Sequence, residues 1–254
     1  MGCFGASIAV SRDGDRVIVG SQEHLDPSPQ GSVSIFDRSD GSWSRTATLQ
    51  PSDLDSPDAF GQSVAMTANG TTLAVAAPAF ELSNVAGTVV LYEQTDGEWT
   101  ETARLQGQVA DGSERSLRRV AISDDSSTML ASDGTAIIVF ERTSDGWVQR
   151  TTIDAPSSQE SPSVGDSLAL SADGTVGVVG SHDPVGSGQG KAQIVRRSGG
   201  SWDWHSVAIR PDREPHFGTA VDMSADGTTV MVGDPNARYQ GKGYVGAVYV
   251  FDES

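Results

Sequence analysis

Residues 60–78, FGQSVAMTANGTTLAVAAP, decide the fold, because the chain repeats the same pattern at residues 217–235 as FGTAVDMSADGTTVMVGDP. Further copies of the pattern begin at Phe4, Leu117 and Val164. Five copies follow one another with a period of about 50 residues, which is typical of propeller blades and too long for most solenoid repeats. The chain is therefore predicted to consist of five related structural units.

Each unit carries the sequence signals of several short β-strands. In the first copy, residues 7–10 and 16–19 are β-branched runs bounded by Gly and Asp. The dipeptide between two such runs is Asp-Gly or Asn-Gly, as at Asp13-Gly14, and supplies the positive φ that a tight hairpin needs. A third strand, a turn ending in tryptophan and a fourth strand follow. We expect the repeat tryptophans to pack between neighbouring units: Trp43, Trp99, Trp147 and Trp202.

These signals predict an all-β fold, since no segment shows the 3.6-residue apolar period of a helix. Four strands per unit indicate a five-bladed β-propeller of four-stranded antiparallel blades that form a ring around a central channel. We expect one domain spanning the chain. Its blades are predicted at approximately residues 4–55, 56–112, 113–159, 160–212 and 213–254.

The last blade is predicted to have three strands, because only three residues follow Phe251. Its third strand would then be an exposed edge that an added strand could extend. The expected partner is another protein or further repeats of the same polypeptide. The predicted docking residues are Ala247, Val248, Tyr249, Val250 and Phe251.

The repeated pattern F-G-x-S-V-A, D-G-x-x-L-x-V-G-A-P and G-x-V-x-V-F resembles the FG-GAP repeat of integrin-α-type propellers. Residues 51–61, PSDLDSPDAFG, together with the Asp-Gly-x-Trp turns, resemble the FG-GAP proteins of haloarchaea. Copies 3 and 4 lack the phenylalanine of the FG pair. The resemblance implies the fold more strongly than it implies a function.

Integrin-type repeats often hold calcium in the first hairpin, on loops rich in carboxylates. The hairpins of this chain have too few carboxylates at alternating positions to complete a calcium cage. Asp13 with Asp15, or Asp124 with Asp125, would bind a cation only loosely. We therefore expect no cofactor and no metal site.

The charge of the protein restricts its partners. The 254 residues carry a formal net charge of -17, and Lys191 and Lys242 are the only lysines. Such a surface repels nucleic acid. Abundant Asp with scarce Lys is typical of halophilic proteins, whose self-repulsion is screened by salt; an acidic surface protein from a mesophile is the alternative. No apolar run could span a membrane, and Cys3, the single cysteine, excludes an internal disulfide.

The long connections are predicted to form the binding surface. In an antiparallel blade the 1–2 and 3–4 hairpins lie on one face, and the longer 2–3 and 4–1 connections lie on the other, which is the candidate binding face. Residues 234–246 bring cations and aromatics to this acidic protein, for binding a partner or for shielding the blade edge. Trp204 is either a further binding residue or fills a local gap. The candidates in the connection are Arg238, Tyr239, Lys242 and Tyr244.

No catalytic constellation is evident. The histidines are His24, His182, His205 and His216, and their spacing defines neither a metal site nor a catalytic pair. We therefore predict a non-enzymatic recognition, adhesion or assembly module that works outside the cell, at the cell surface or on a virion, in a halophile or its virus. It could contact a surface glycan or a receptor. The alternatives are a fragment of a cell-surface FG-GAP adhesion protein and a propeller glycoside hydrolase.

Overall fold

The computed structural model describes residues 3–22, 31–51, 59–78, 86–109, 114–155, 163–182, 190–205, 216–238 and 243–252. Every regular element among these residues is a β-strand. Four sheets have four strands and one has three, and in each the strands lie side by side in chain order. The fold is a five-bladed β-propeller with a three-stranded last blade, as the sequence predicted.

The strand bounds follow the repeat. Blade 1 contains β1 (Cys3–Val10), β2 (Arg16–Gln22), β3 (Ser32–Ser39) and β4 (Ser42–Leu49). Blade 2 contains β5 (Ser63–Met66), β6 (Thr72–Ala77), β7 (Thr88–Thr95) and β8 (Glu98–Leu105). A short ribbon of β9 (Gly107–Gln108) and β10 (Glu114–Arg115) leads to blade 3.

Blade 3 contains β11 (Arg119–Ile122), β12 (Thr128–Ser132), β13 (Ala136–Thr143) and β14 (Gly146–Asp154). Blade 4 contains β15 (Ser167–Leu170), β16 (Val176–Ser181), β17 (Lys191–Ser198) and β18 (Ser201–Trp204). Blade 5 contains β19 (Ala220–Met223), β20 (Thr229–Asp234) and β21 (Ala247–Asp252).

The first hairpin of each blade is closed by one hydrogen-bond network. In blade 4, Ser171 Oγ donates to Asp173 Oδ1 (2.7 Å), and the same carboxylate oxygen accepts from the amide of Thr175 (3.0 Å). Ser171 Oγ also accepts from the amide of Val176 (3.0 Å). Gly174 takes a φ of 66° between them. The aspartate of this turn is therefore used to fold the hairpin.

The same network recurs in the other blades with small changes. Thr67 and Asn69 replace Ser and Asp in blade 2, where Thr67 Oγ1 donates to Asn69 Oδ1 (2.7 Å). Ser126 takes the glycine position in blade 3, with a φ of 58°. Because positive φ is unfavourable for serine but not for glycine, this is the most strained of the five turns.

The core consists of four apolar clusters, one between each pair of consecutive blades. The blade-leading residue of the FG position lies in these clusters and is buried in blades 2 to 5: Phe60, Leu117, Val164 and Phe217. Strands β6, β12 and β16 are buried at every position, because both faces of blades 2, 3 and 4 are covered. The stabilisation that comes from burying apolar side chains is therefore provided by contacts between blades.

Blades 1 and 5 each keep one uncovered face. In β21, Tyr249 and Phe251 pack toward blade 4, whereas Val248 and Val250 are 69% and 61% exposed. In β1, Phe4 is 64% exposed. Among the described residues, no apolar cluster joins blade 5 to blade 1.

The expectation for the repeat tryptophans was right for three of the four. Trp99, Trp147 and Trp202 pack in the clusters that their blades share with the preceding blade. Trp43 does not, and is 47% exposed. The reason is its position in blade 1, which has no covered face on the side where a preceding blade would lie.

Candidate binding face

The candidate binding face is formed by the connections between strands 2 and 3 of a blade and between consecutive blades. Large parts of these connections lie outside the described residues, including His24 and the predicted binding residues Tyr239 and Lys242. The described part contains two side chains of the predicted set, Arg238 and Tyr244, and several groups that the sequence did not single out.

Arg238 and Tyr244 form a stacked pair between β20 and β21. The Arg238 guanidinium carbon lies 4.9 Å from the centroid of the Tyr244 ring, and Arg238 Nη2 donates to Tyr244 Oη (3.1 Å). An isolated β-bridge joins the two residues, and the amides of Val245 and Gly246 both donate to Ala237 O (2.9 and 3.2 Å). This backbone frame holds the aromatic ring against the cation while leaving Tyr244 67% exposed.

Trp204 lies in the seam between blades 3 and 4. Its indole Nε1 donates to Asp154 O (2.8 Å), and the ring packs against the cluster that contains Ile153. This position matches the gap-filling alternative raised by the sequence. A contribution of Trp204 to ligand binding stays a prediction.

Two histidines that are distant in sequence meet where blade 5 joins blade 4. The rings of His182 and His216 have centroids 6.4 Å apart and are nearly parallel. His182 Nδ1 lies 2.8 Å from Asp166 Oδ2, which also accepts from the amide of His182 (3.0 Å) and from Ser163 Oγ (2.6 Å). Sequence reasoning missed this group, because the pairing depends on how the start of blade 5 docks at the end of β16.

A buried ion pair lies on the same side of blade 3. Arg115 contacts Asp133 and donates to Thr135 Oγ1 (3.1 Å), while Asp133 Oδ1 accepts from the amides of Thr135 and Ala136. Burial would raise the pKa of Asp133, but the Arg115 guanidinium and the Thr135 and Ala136 donors outweigh it and keep that pKa low. The carboxylate is thus ionised and fully engaged in holding the short connection between β12 and β13.

Within the described ranges, no three His, Cys, Asp or Glu side chains come close enough to bind a metal ion. Nor does any helix of this part of the chain reach the length and apolarity that crossing a membrane requires.

A cavity of about 540 Å³ opens on the uncovered face of blade 5. Its walls come from the start of β19, the end of β20 and the start of β21. The residues that define it are Ala220, Gly233, Asp234, Gly246, Ala247 and Val248.

Comparison with known proteins agrees with this architecture. The arrangement of five small antiparallel sheets defines a β-propeller. The family model of the FG-GAP repeat matches residues 43–89, which extend from β4 into β7. The protein is therefore a five-bladed β-propeller with a match to the FG-GAP repeat over residues 43–89, and the resemblance to that repeat inferred from its sequence is confirmed. The likeness to the haloarchaeal type stays a prediction. No curated protein sequence matches the chain.

Several solved structures share the fold. A functionally unknown protein from Desulfotomaculum acetoxidans superposes with a TM-score of 0.64 at 13% identity, over 99% of this chain and 66% of that chain. Hydrazine synthase from Kuenenia stuttgartiensis gives 0.60 at 18%, over 98% and 63%. A 6-phosphogluconolactonase candidate from Bacteroides uniformis gives 0.53 at 13%, over 98% and 86%. The chain thus spans less than two thirds of the length of the first two, and these likenesses concern the fold alone.

Proposed function

We propose that the protein is a non-enzymatic recognition module that binds a surface glycan through the candidate binding face. The observation that carries this proposal is the exposed Arg238–Tyr244 pair. An exposed aromatic ring offers a flat surface on which a sugar ring can stack, and a guanidinium offers donors to its hydroxyl or carboxylate groups. The backbone beside the pair is held by hydrogen bonds to Ala237 O, and Arg238 Nη2 donates to Tyr244 Oη, so binding would cost little conformational entropy.

The negative charge of the protein affects which ligands the Arg238–Tyr244 pair can bind and at what salt concentration. With 34 acidic and 17 basic residues, the overall potential opposes anionic ligands at low salt. In concentrated salt that repulsion is screened over short distances, while direct stacking and hydrogen bonds persist. The pair therefore fits a setting of high ionic strength. We place the module outside the cell, at a cell surface or on a virion of a halophile or its virus; the match to the FG-GAP repeat, which is typically extracellular, supports a location outside the cell.

A glycan array probed with the labelled protein in molar NaCl tests the proposal. We expect binding to a subset of glycans, and a loss of at least about tenfold in affinity for Tyr244→Ala and for Arg238→Ala, since each removes a contact of more than about 1.4 kcal/mol. The matched control is Arg104→Ala on the outer strand of blade 2, which removes the same charge from a residue paired with Glu101. Equal binding by all three variants, or no bound glycan, would contradict the proposal.

The hydrolase alternative requires two carboxylates that flank a substrate cleft. Among the described residues of the candidate binding face, Asp133 and Asp166 are both engaged in holding connections, by Arg115 and by Ser163 with His182. Because both carboxylates are already engaged in these contacts, a binding role is better supported than a catalytic one. Turnover of a polysaccharide or a lactone by the purified protein, abolished by Asp166→Asn, would favour the enzyme instead.

A further inference from the structure

The blades of this protein are joined by one repeated contact, which we call the FG contact. The FG segment of a blade, Phe60-Gly61 in blade 2, lies against the end of strand 2 and the start of strand 3 of the preceding blade. Gly31 bridges to Phe60, and Ser7 Oγ donates to Gly61 O (2.8 Å). A Cβ at Gly20 would lie 2.1 Å from Gly61 O, so only glycine leaves room for the incoming backbone.

The FG contact recurs between blades 4 and 5 with the same geometry. Ser167 Oγ donates to Gly218 O (2.9 Å). A Cβ at Gly180 would lie 2.2 Å from Gly218 O, and one at Gly190 would lie 2.0 Å from Phe217 O. A blade therefore presents an FG site, made by a pair of glycines, to the FG segment of the blade that follows.

Blade 5 has an FG site that no blade occupies within the part of the chain that the structure describes. By strand register, Ala220 pairs with Gly233 as Ser7 pairs with Gly20, and Gly246 precedes β21 as Gly31 precedes β3. The cavity of about 540 Å³ lies at these residues. A Cβ at Gly233 would meet nothing closer than Ala220 of its own blade, at 3.5 Å.

A second observation marks this cavity as incomplete. Asp234, in its wall, is 1% exposed, and its Oδ2 has no hydrogen-bond partner among the described residues. Its other oxygen accepts from the amide of Asn236 (2.9 Å). A polar oxygen that is buried without a donor costs free energy, so this site favours an occupant that brings an N–H or O–H group. The incoming backbone of an FG segment is such an occupant.

Blade 1 carries the complementary feature. Phe4-Gly5 is its FG segment, and Phe4 is exposed although its equivalents Phe60 and Phe217 are fully buried. Ile8 and Val10 continue the same uncovered surface along β1, together with Trp43. These side chains form the blade 1 end face: Phe4, Ile8, Val10 and Trp43.

The blade 5 end face has the matching apolar composition. It consists of Met231, Val248 and Val250, all exposed, whose equivalents in blade 1 are Ile18, Val33 and Ile35. Those three are fully buried against blade 2. The uncovered surface of blade 5 is therefore the same kind of surface that holds a following blade elsewhere in this molecule.

Charge continues the pattern. Glu93 of blade 2 pairs with Arg142 of blade 3 (2.8 Å). One blade further, Glu141 of blade 3 pairs with Arg197 of blade 4 (3.2 Å). In the alignment of the third strands, Asp252 on blade 5 takes the position of Glu93 and Glu141, and Arg38 on blade 1 takes the position of Arg142 and Arg197. The two end faces therefore carry an acid and a base at the positions that form ion pairs between blades inside the molecule.

We propose that the blade 1 end face of one copy of this chain packs on the blade 5 end face of a second copy, with Phe4-Gly5 in the cavity beside Asp234. The interface continues the four blade interfaces already present in the molecule. The contact is lateral, between blade faces, and differs from extension of the outer edge of β21. Because the two faces lie at opposite ends of the blade series, the association is head to tail, and it ends either in a closed ring of copies or in a chain.

One departure from the internal contacts is the absence of a hydroxyl at Ala220, where blades 1 and 4 use Ser7 and Ser167. The joint between copies therefore lacks one hydrogen bond of the internal joints. We expect it to be weaker than those joints and to depend on protein concentration.

Cysteine crosslinking tests the geometry. Cys3, the single cysteine, is exposed and directly precedes the FG segment. In blade 5 that position is His216, whose ring stacks on His182, the residue after β16. The equivalent of His182 at the end of β20 is Pro235. With a short bis-maleimide, Pro235→Cys should therefore give covalent dimers and larger species through Cys3.

The controls are the wild type and Ser144→Cys, which places a second cysteine on an exposed turn of blade 3; neither should yield more than traces of dimer. A Pro235→Cys product crosslinked within a single chain would show that the ring closes on itself and would overturn the proposal. Absence of any crosslink between Cys3 and the introduced cysteine would overturn it as well.

A mixing experiment tests the polarity independently. Phe4→Asp spoils one end face and Val248→Asp spoils the other, and both positions are exposed, so both variants should fold with unchanged circular dichroism. In molar NaCl, light scattering after size exclusion should show association of the wild type and monomers for each variant alone. Their equimolar mixture should give dimers through the intact face of each. A monomeric wild type, or a mixture that stays monomeric, would contradict the head-to-tail interface.

Discussion

At the scale of single residues, the aspartate that recurs in the first hairpin of the blades closes the turn by accepting hydrogen bonds through its side chain. Asp173 and Asp226 each accept from a Ser hydroxyl and from a backbone amide two residues on, and a Thr hydroxyl adds a third donor. These donors satisfy the carboxylate locally, which leaves few lone pairs for a cation. The absence of a cofactor in these hairpins nevertheless stays a prediction.

Asp173→Ala should lower the free energy of unfolding by about 1 kcal/mol, the usual cost of losing a side chain that caps a turn or helix end. Asp173→Asn should cost less than about half of that, because Asn69 closes the same turn in blade 2. Urea unfolding followed by tryptophan fluorescence measures both. Asp145→Ala, on another exposed turn, is the control; a loss as large as that of Asp173→Ala would show that the network has no special role.

The same turns predict how stability responds to acid. The Ser224 hydroxyl and the Thr228 donors lower the pKa of Asp226 from 3.8 to about 2, and hydrogen bonds from Ser171 and Thr175 lower the pKa of Asp173. A carboxyl whose pKa is lower in the folded state contributes stability above its unfolded pKa, and that contribution is lost as the pH falls through the folded value. Unfolding free energy should therefore fall between about pH 4 and pH 2.

The variant in which both aspartates are replaced, Asp173→Asn with Asp226→Asn, separates this effect from the relief of overall repulsion on protonation. Its unfolding free energy should fall less steeply over the same range. An acid profile identical to that of the wild type would refute the assignment to these turns.

At the scale of the element, the burial of a strand depends on whether neighbouring blades cover its two faces. Strands β6, β12 and β16 lie in the middle three blades and are buried on both faces, whereas β21 alternates between covered and exposed residues. The FG segment is the point at which each blade engages the one before it. Equivalent residues of the repeat should therefore have unequal energetic importance.

Phe60 and Phe4 provide the matched comparison. Phe60→Ala should cost about 3–5 kcal/mol, because it empties a fully buried site between blades 1 and 2. Phe4→Ala should cost less than about 1 kcal/mol in the monomer, since its side chain is mostly exposed. Chemical denaturation at low protein concentration measures both changes. Equal costs would show that the blade 1 end face is covered in solution.

At the scale of the whole molecule, the net charge of -17 governs the response to salt. Raising NaCl from about 0.1 M to about 1 M shortens the Debye length from about 10 Å to about 3 Å, which screens repulsion between exposed carboxylates. The thermal midpoint should therefore rise over this range. Calorimetry measures it, and a variant with several exposed aspartates of the outer strands changed to asparagine should gain less. A midpoint that falls with salt would contradict the halophilic interpretation.

Much of the fold could be predicted from the sequence because its signals are local. The Asp-Gly turns need only positive φ and a nearby serine, and the last copy of the repeat carries the signals of three strands. The candidate site was harder to predict from the sequence. Arg238 and Tyr244 were identified as a cation and an aromatic in one connection, but their stacking depends on the β-bridge that aligns them. The meeting of His182 and His216 depends on the docking of one blade on another and left no signal in either segment.

The sequence by itself determined the repeat, the strand order within each blade and the three-stranded last blade, because each of these follows from contacts between residues close in the chain. Only the tertiary structure decided which copies of an identical motif are buried. Phe4 and Phe60 occupy the same place in the repeat, yet one is exposed and the other is enclosed. The physical reason is that burial of an FG segment requires a preceding blade, and whether a blade has such a neighbour is a property of the assembled ring rather than of the motif.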